Sequence, residues 1–121
     1  FASLIPKMQA AGVSLLAGSD AGASNSYVYQ GISLHQELAA LVAAGLTPAE
    51  ALRTATINGA TFLKVDDYYG SIEIGKSSDM LILNANPLAE ITNTQKIDML
   101  VLGNQTFSKA DLEKMLNDLK K

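Results

Sequence analysis

Apolar residues recur at helical spacing as far as Lys64 and in short β-like runs beyond it, so any fold of this chain must join a helical stretch to a β-rich one. Before the switch, Leu4, Ile5, Met8 and Ala11 predict the tail of a helix stopped by Gly12. Residues 13–18, Val-Ser-Leu-Leu-Ala-Gly, then read as a buried strand. Leu34, Leu38, Leu41 and Val42 form one stripe of a helix ending at Gly45, and Ala39, Ala40, Ala43 and Ala44 let neighbours approach closely. Thr47-Pro48-Ala49-Glu50 is a capping box with proline at the first helical position, predicting a second helix to about Asn58 or Gly59 and a short helical stretch at 60–63. After the switch, 71–74, 80–83 and 99–102 read as strands separated by Gly75-Lys76, Asn86-Pro87 and Asn93. Ser108 to Asp111 caps a closing helix with Leu112, Met115, Leu116 and Leu119 on one face. No repeat or long linker intervenes, so the expected division, 1–64 and 65–121, shares one core.

Composition removes several classes of function. A net charge of −3 without a basic stripe gives no support to nucleic acid or anionic lipid as a partner. The absence of cysteine excludes disulfides and thiolate metal sites, leaving oxygen and imidazole as the available ligands. No apolar run approaches the ~20 residues that span a bilayer, which points to a soluble protein with the cytoplasm as the favoured compartment. The chain begins at Phe1 rather than methionine, as expected if these residues start inside a longer reading frame or follow processing.

The best lead to chemistry is Asp20, which closes the apolar run and opens a loop containing Gly22, Ser24 and Asn25. At the C-terminal end of a parallel strand, backbone pairing has stopped while the side chain still sits on a rigid base, so a carboxylate there can hold a metal or take a proton. The competing reading is an Asp that caps the following turn. His35 carries an imidazole, the side chain type suited to acid–base work, and could touch substrate from the first turn of its helix. Glu37 cannot orient it, because residues i and i+2 of a helix do not face each other. Tyr27 and Tyr29 fall in the loop after Asp20, where aromatic rings can line a pocket mouth. Gly70 to Lys76 lacks the spacing of a phosphate loop and reads as a hairpin, and Asp79 as a turn former. Thr54, Thr56 and Asn58 could offer hydroxyl and amide groups to a neighbour, although helix packing explains them equally well.

Taken in order, Gly18-Ser19-Asp20, His35-Gln36-Glu37-Leu38, Ala44 to Leu52, Ala55-Thr56-Ile57-Asn58, Gly70 to Lys76, Ser78 to Leu83 and Asn86-Pro87-Leu88 resemble the C-terminal portion of the metal-dependent amidohydrolase superfamily, especially its imidazolonepropionase-like and Xaa-Pro dipeptidase-like members. The resemblance implies an α/β fold: the last strand and helices of a (β/α)₈ barrel, followed by the C-terminal strands of a small β-sandwich. It implies that 13–20 match the eighth barrel strand and that Asp20 is both a ligand of zinc or another divalent metal and the acceptor of the proton of a bound water. The family's other ligands lie upstream of the matched region, and this chain has one histidine in all. The implied activity is hydrolysis of amide, peptide or cyclic C–N bonds in small molecules or dipeptides, with the isolated chain inactive and without a metal of its own. The alternative is a stand-alone, non-catalytic folding or interaction module. A barrel strand without its upstream neighbours has exposed edges, which predicts a homo-oligomer or association with the missing N-terminal portion.

Overall fold

The computed structural model describes residues 2–22 and 27–119; Ser24 and Asn25 of the expected loop lie outside them. A 3₁₀ turn, Ala2–Leu4, leads into helix α1 (Ile5–Ala10), whose end is closed by the Val13 N–H on the Met8 carbonyl, 3.0 Å. Helix α2 (Ile32–Ala43) buries Ser33, Leu38 and Leu41. It ends at Gly45, whose φ of +116° lets the Leu46 N–H reach back to the Leu41 carbonyl, 3.1 Å.

The capping box forms as expected at the start of α3 (Pro48–Thr54): the Thr47 N–H donates to Glu50 Oε2 at 2.8 Å and the Glu50 N–H to Thr47 Oγ1 at 3.3 Å. The continuous helix expected to 58 or 59 does not form. Helix α3 stops at Thr54, and α4 (Ile57–Leu63) starts anew. The Thr54 hydroxyl donates to the Ala51 carbonyl at 2.6 Å and the Thr56 hydroxyl to the Leu52 carbonyl at 2.8 Å, so side chains engage carbonyls at the end of the ladder. Thr56 itself sits at φ −129°, ψ −100°, outside the helical region.

Among the described residues three antiparallel strands make one sheet, in the order β1 (Met80–Leu83), β2 (Ile97–Leu102), β3 (Gln105–Ser108). Met80 lies opposite Val101 and Met99 opposite Ser108, with an irregularity between Ile82 and Leu83. A 3₁₀ turn, Ile91–Gln95, delivers the chain to β2, and α5 (Lys109–Asp118) follows β3 with the Ser108/Asp111 capping box in place.

Two expected strands are absent from this sheet. Residues 71–74 form a locally closed turn: Lys76 Nζ reaches Ser71 Oγ at 2.6 Å and Glu73 Oε1 at 3.3 Å, and the Lys76 N–H donates to the Glu73 carbonyl. This local turn, with its side chains bonded to one another, stands in place of the expected hairpin. Residues 13–18 are extended but pair with no strand among the described residues. Their burial alternates, with Leu15 and Ala17 half-buried against the core and Ser14, Leu16 and Gly18 exposed. The neighbour they meet is the α3–α4 junction, which cannot offer a strand ladder.

The core is Leu38, Leu41, Leu46, Ala51 and Ile91, with Ile5, Leu15, Ala17, Val42 and Leu52 packed on it. The accessible surface is 8679 Å² for 12.8 kDa, against about 6,300 Å² for a folded monomer of that mass. The chain therefore leaves far more surface uncovered than a self-contained domain does. Among the described residues no helix is long and apolar enough to cross a membrane.

A candidate active site at the end of the extended segment

Asp20 stands where the extended segment stops, exposed and with φ at +48°. A non-glycine residue in the left-handed region is uncommon, although Asp tolerates it better than most. Its carboxylate accepts no hydrogen bond from the described residues, Gly22 included. Beside it lies a small cleft of about 240 Å³, lined by Ser19, Val28, Ser33, Gln36, Glu37 and Ala40. The four α2 residues recur at helical spacing, so one face of that helix forms the cleft wall. Their hydroxyl, amide and carboxylate groups can bind a polar ligand. Sequence reasoning missed this face; the signal was the 33/36/37/40 spacing on a helix already expected to follow the Asp20 loop.

The other sequence candidates do not converge there. His35 Nδ1 lies 3.0 Å from Thr94 Oγ1, and the Thr94 hydroxyl hydrogen is directed to the Ile91 carbonyl at 2.9 Å, so the ring nitrogen is the donor. This bond ties α2 to the 3₁₀ turn ahead of β2, and His35 is not among the cleft-lining residues. Glu37 lines the cleft two residues on, as the i, i+2 geometry requires. Tyr27 and Tyr29 are 91% and 63% exposed, and only Val28 between them reaches the cleft.

A much larger groove, about 1070 Å³, runs between α4 and the sheet. Leu52, Ala60, Leu63, Met80, Leu83 and Leu100 dominate its wall. Its carboxylate, Asp79, does not form the expected local turn bond but accepts the Gly103 N–H at 2.9 Å, joining the start of β1 to the end of β2. The groove is thus an apolar surface rather than a reaction site.

Perturbed acids also lie elsewhere. Glu50 is held below the ordinary glutamate value by the Thr47 backbone N–H and then the Thr47 hydroxyl. Glu73 is lowered by Ser71 and Lys76, and Asp111 by Ser108. All three shifts arise at helix caps or turns. Among the described residues no three His, Asp or Glu side chains gather into a potential metal site. A catalytic zinc wants about three protein ligands, so the groups present do not by themselves fit one; Asp20 could furnish one ligand of a larger set.

Residues 2–107 match the amidohydrolase family, and the chain belongs to it. It is 35% identical over 82 residues to a 5-methylthioadenosine/S-adenosylhomocysteine deaminase of Teredinibacter turnerae, an alignment covering 64% of this chain and 19% of that protein. Over 40 residues it is 50% identical to the imidazolonepropionase of Micrococcus luteus, covering 33% of this chain and 10% of the relative. A solved structure of a Xaa-Pro dipeptidase with methionine bound in its active site superposes with a TM-score of 0.76 at 26% identity, over 88% of this chain and 25% of that one. The chain therefore spans a minor part of the length of the proteins it resembles.

Proposed function

We propose that these residues supply one corner of the active site of an amidohydrolase-type hydrolase acting on an amide, peptide or cyclic C–N bond of a small molecule or dipeptide. The observation that carries this reading is Asp20: an exposed carboxylate in a left-handed conformation, with no described partner, beside a polar cleft. Non-glycine residues in the left-handed region are among the backbone features that cluster at active sites. In this reading Asp20 accepts a proton from the attacking water and returns it to the leaving nitrogen. Tyr27 and Tyr29, exposed beside the cleft-lining Val28, contribute to substrate contact. His35 contributes indirectly, by fixing the helix that forms the cleft wall.

Other parts of a longer protein complete the site. Residues 1–64 are the end of a hydrolase barrel and 65–121 the returning strands of its small sandwich. Divalent metal, zinc or another, is held mainly by groups that this chain lacks. The uncovered surface and the apolar groove support association, either with the N-terminal portion of the same protein or between copies. The alternative is a stand-alone, non-catalytic module in which Asp20 has only a local structural role.

Assay of the purified chain with zinc against dipeptide and lactam substrates should give no turnover; metal-dependent turnover abolished by Asp20→Ala would overturn the expected inactivity. In the complete gene product, Asp20→Asn should abolish hydrolysis while leaving the fold intact by circular dichroism. Unchanged hydrolysis would remove Asp20 from the chemistry and favour the non-catalytic reading.

A further inference from the structure

Asn58 is hydrogen-bonded across the chain to the segment that ends on Asp20. An extended segment that carries a working carboxylate must be held in direction as well as in place, and residues 13–18 have no strand among the described residues to hold them. Two bonds do so instead. The Ala17 N–H donates to the Thr54 carbonyl at 3.1 Å, and the Asn58 Nδ2 donates to the Leu15 carbonyl at 2.9 Å, across 43 residues of sequence. In an extended chain the backbone groups of residues i and i+2 point to the same side. Leu15 and Ala17 are therefore gripped along one edge, the edge that a neighbouring strand would otherwise occupy.

Both grips depend on the interruption between α3 and α4. In an unbroken helix the Thr54 carbonyl would accept the N–H of residue 58; here it is the last residue of α3, and its carbonyl is free to receive Ala17. The hydroxyls of Thr54 and Thr56 turn back on carbonyls of α3. Asn58, in the first turn of α4, is the member of the Thr54/Thr56/Asn58 set whose side chain reaches the segment.

We propose that Asn58 is a positioning residue for Asp20: its carboxamide and the Thr54 carbonyl form a two-point clasp on Leu15 and Ala17 that sets the direction in which the segment delivers Asp20. The inference rests on the reading of Asp20 as the working carboxylate, and the clasp itself can be measured independently of it.

The test uses the complete gene product with Asn58→Asp, which keeps the shape but replaces the donor with an acceptor, and Asn58→Gln, which restores a donor. Thr56→Val, which removes only the bond to Leu52, is the control. Hydrogen exchange of the Ala17 amide should accelerate about tenfold in Asn58→Asp, as loss of one hydrogen bond implies, while the β2–β3 ladder amides and the urea midpoint stay near those of the control. The kcat should fall by about a hundredfold, the scale of a small misplacement of a reacting group, with KM little changed and partial recovery in Asn58→Gln. An unchanged Ala17 exchange rate would overturn the clasp. Faster exchange with unaltered kcat, in a protein that Asp20→Asn inactivates, would overturn the positioning role. If Asp20→Asn is itself silent, the reading of Asp20 fails and the positioning role fails with it, while the exchange rates still report the clasp.

Discussion

The helical and β-rich parts of the chain are held together by different means. Among the described residues five of the six buried apolar side chains, Leu38, Leu41, Leu46, Ala51 and Ala60, precede Lys64; only Ile91 comes after it. The sheet has no buried residue in any of its three strands. It is ordered by ladder bonds, by Asp79 across to Gly103 and by the Ser108 cap, while Leu81, Ile82 and Leu102 remain about half exposed. Side-chain burial is the larger contributor to stability, since each backbone bond in the fold replaces one made to water. The buried side chains therefore lie mainly in the helical part, with Ile91 completing their core, and the sheet is the element that needs cover.

Leu38→Ala against Ile82→Ala tests that difference directly. Leu38 is 4% exposed at the centre of the core, and its truncation should destabilise by about 3 kcal/mol through lost transfer energy and the cavity left behind. Ile82 is 44% exposed, and its truncation should cost well under about 1 kcal/mol. Urea titration followed by circular dichroism compares them, and equal midpoint shifts would mean that the sheet is as well packed as the helices.

Gly70 probes the seam between the two parts at a smaller scale. Its φ is +92°, and a Cβ there would come within 2.8 Å of the Ala60 Cβ and 2.9 Å of the Ile57 Cα. Both the backbone conformation and the contact oppose a side chain, so Gly70→Ala should destabilise by about 2 kcal/mol. A neutral outcome in the same titration would show that the 65–79 connection is free to move away from α4, and that the helical part is independent of the β-rich one.

How much of this was legible in the sequence depends on the range of the interactions involved. The Thr47 capping box and the Ser108 cap were readable because a hydroxyl and a carboxylate three residues apart close on each other without help. The buried stripe of α2 and strands β1 and β2 were readable from periodicity. The 13–18 run has the composition of a strand, yet strand pairing depends on a partner, and the partner it meets is a helix junction. The α3–α4 interruption was hidden for a related reason: Thr54 and Thr56 fit a helical pattern, and the departure of the Thr56 backbone from helical dihedrals has no local sequence signal. Strand β3 comes after a two-residue Gly103-Asn104 connection, a hairpin signal that Gln105-Thr106-Phe107-Ser108 is short enough to obscure. For the site, Asp20 stood out because it ends an apolar run beside glycines, whereas the cleft wall of Ser33, Gln36 and Glu37 required knowing which face of α2 turns toward it.

Acid titration should separate the two parts with the smallest effect. Glu50 and Asp111 are both held below their ordinary values of 4.5 and 3.8, Glu50 chiefly by the Thr47 backbone N–H and Asp111 chiefly by the Ser108 hydroxyl. A carboxylate whose folded value is depressed contributes stability that is present above its unfolded value and is lost as the pH falls through the folded one. The caps should therefore hold from neutrality to about pH 5 and weaken below the ordinary values. Their consequences differ because α3 carries the buried residues Ala51 and Thr54, whereas α5 buries none of its residues. Losing the Glu50 cap should lower the urea midpoint, and Glu50→Gln should make the acid dependence of that midpoint shallower than in the unaltered chain. Losing the Asp111 cap should reduce helical circular dichroism with little movement of the midpoint, and Asp111→Asn should flatten only the helicity curve. If instead Asp111→Asn changes the acid dependence of the midpoint as much as Glu50→Gln does, α5 is packed in solution, and the contrast between a packed helical part and an uncovered sheet is wrong.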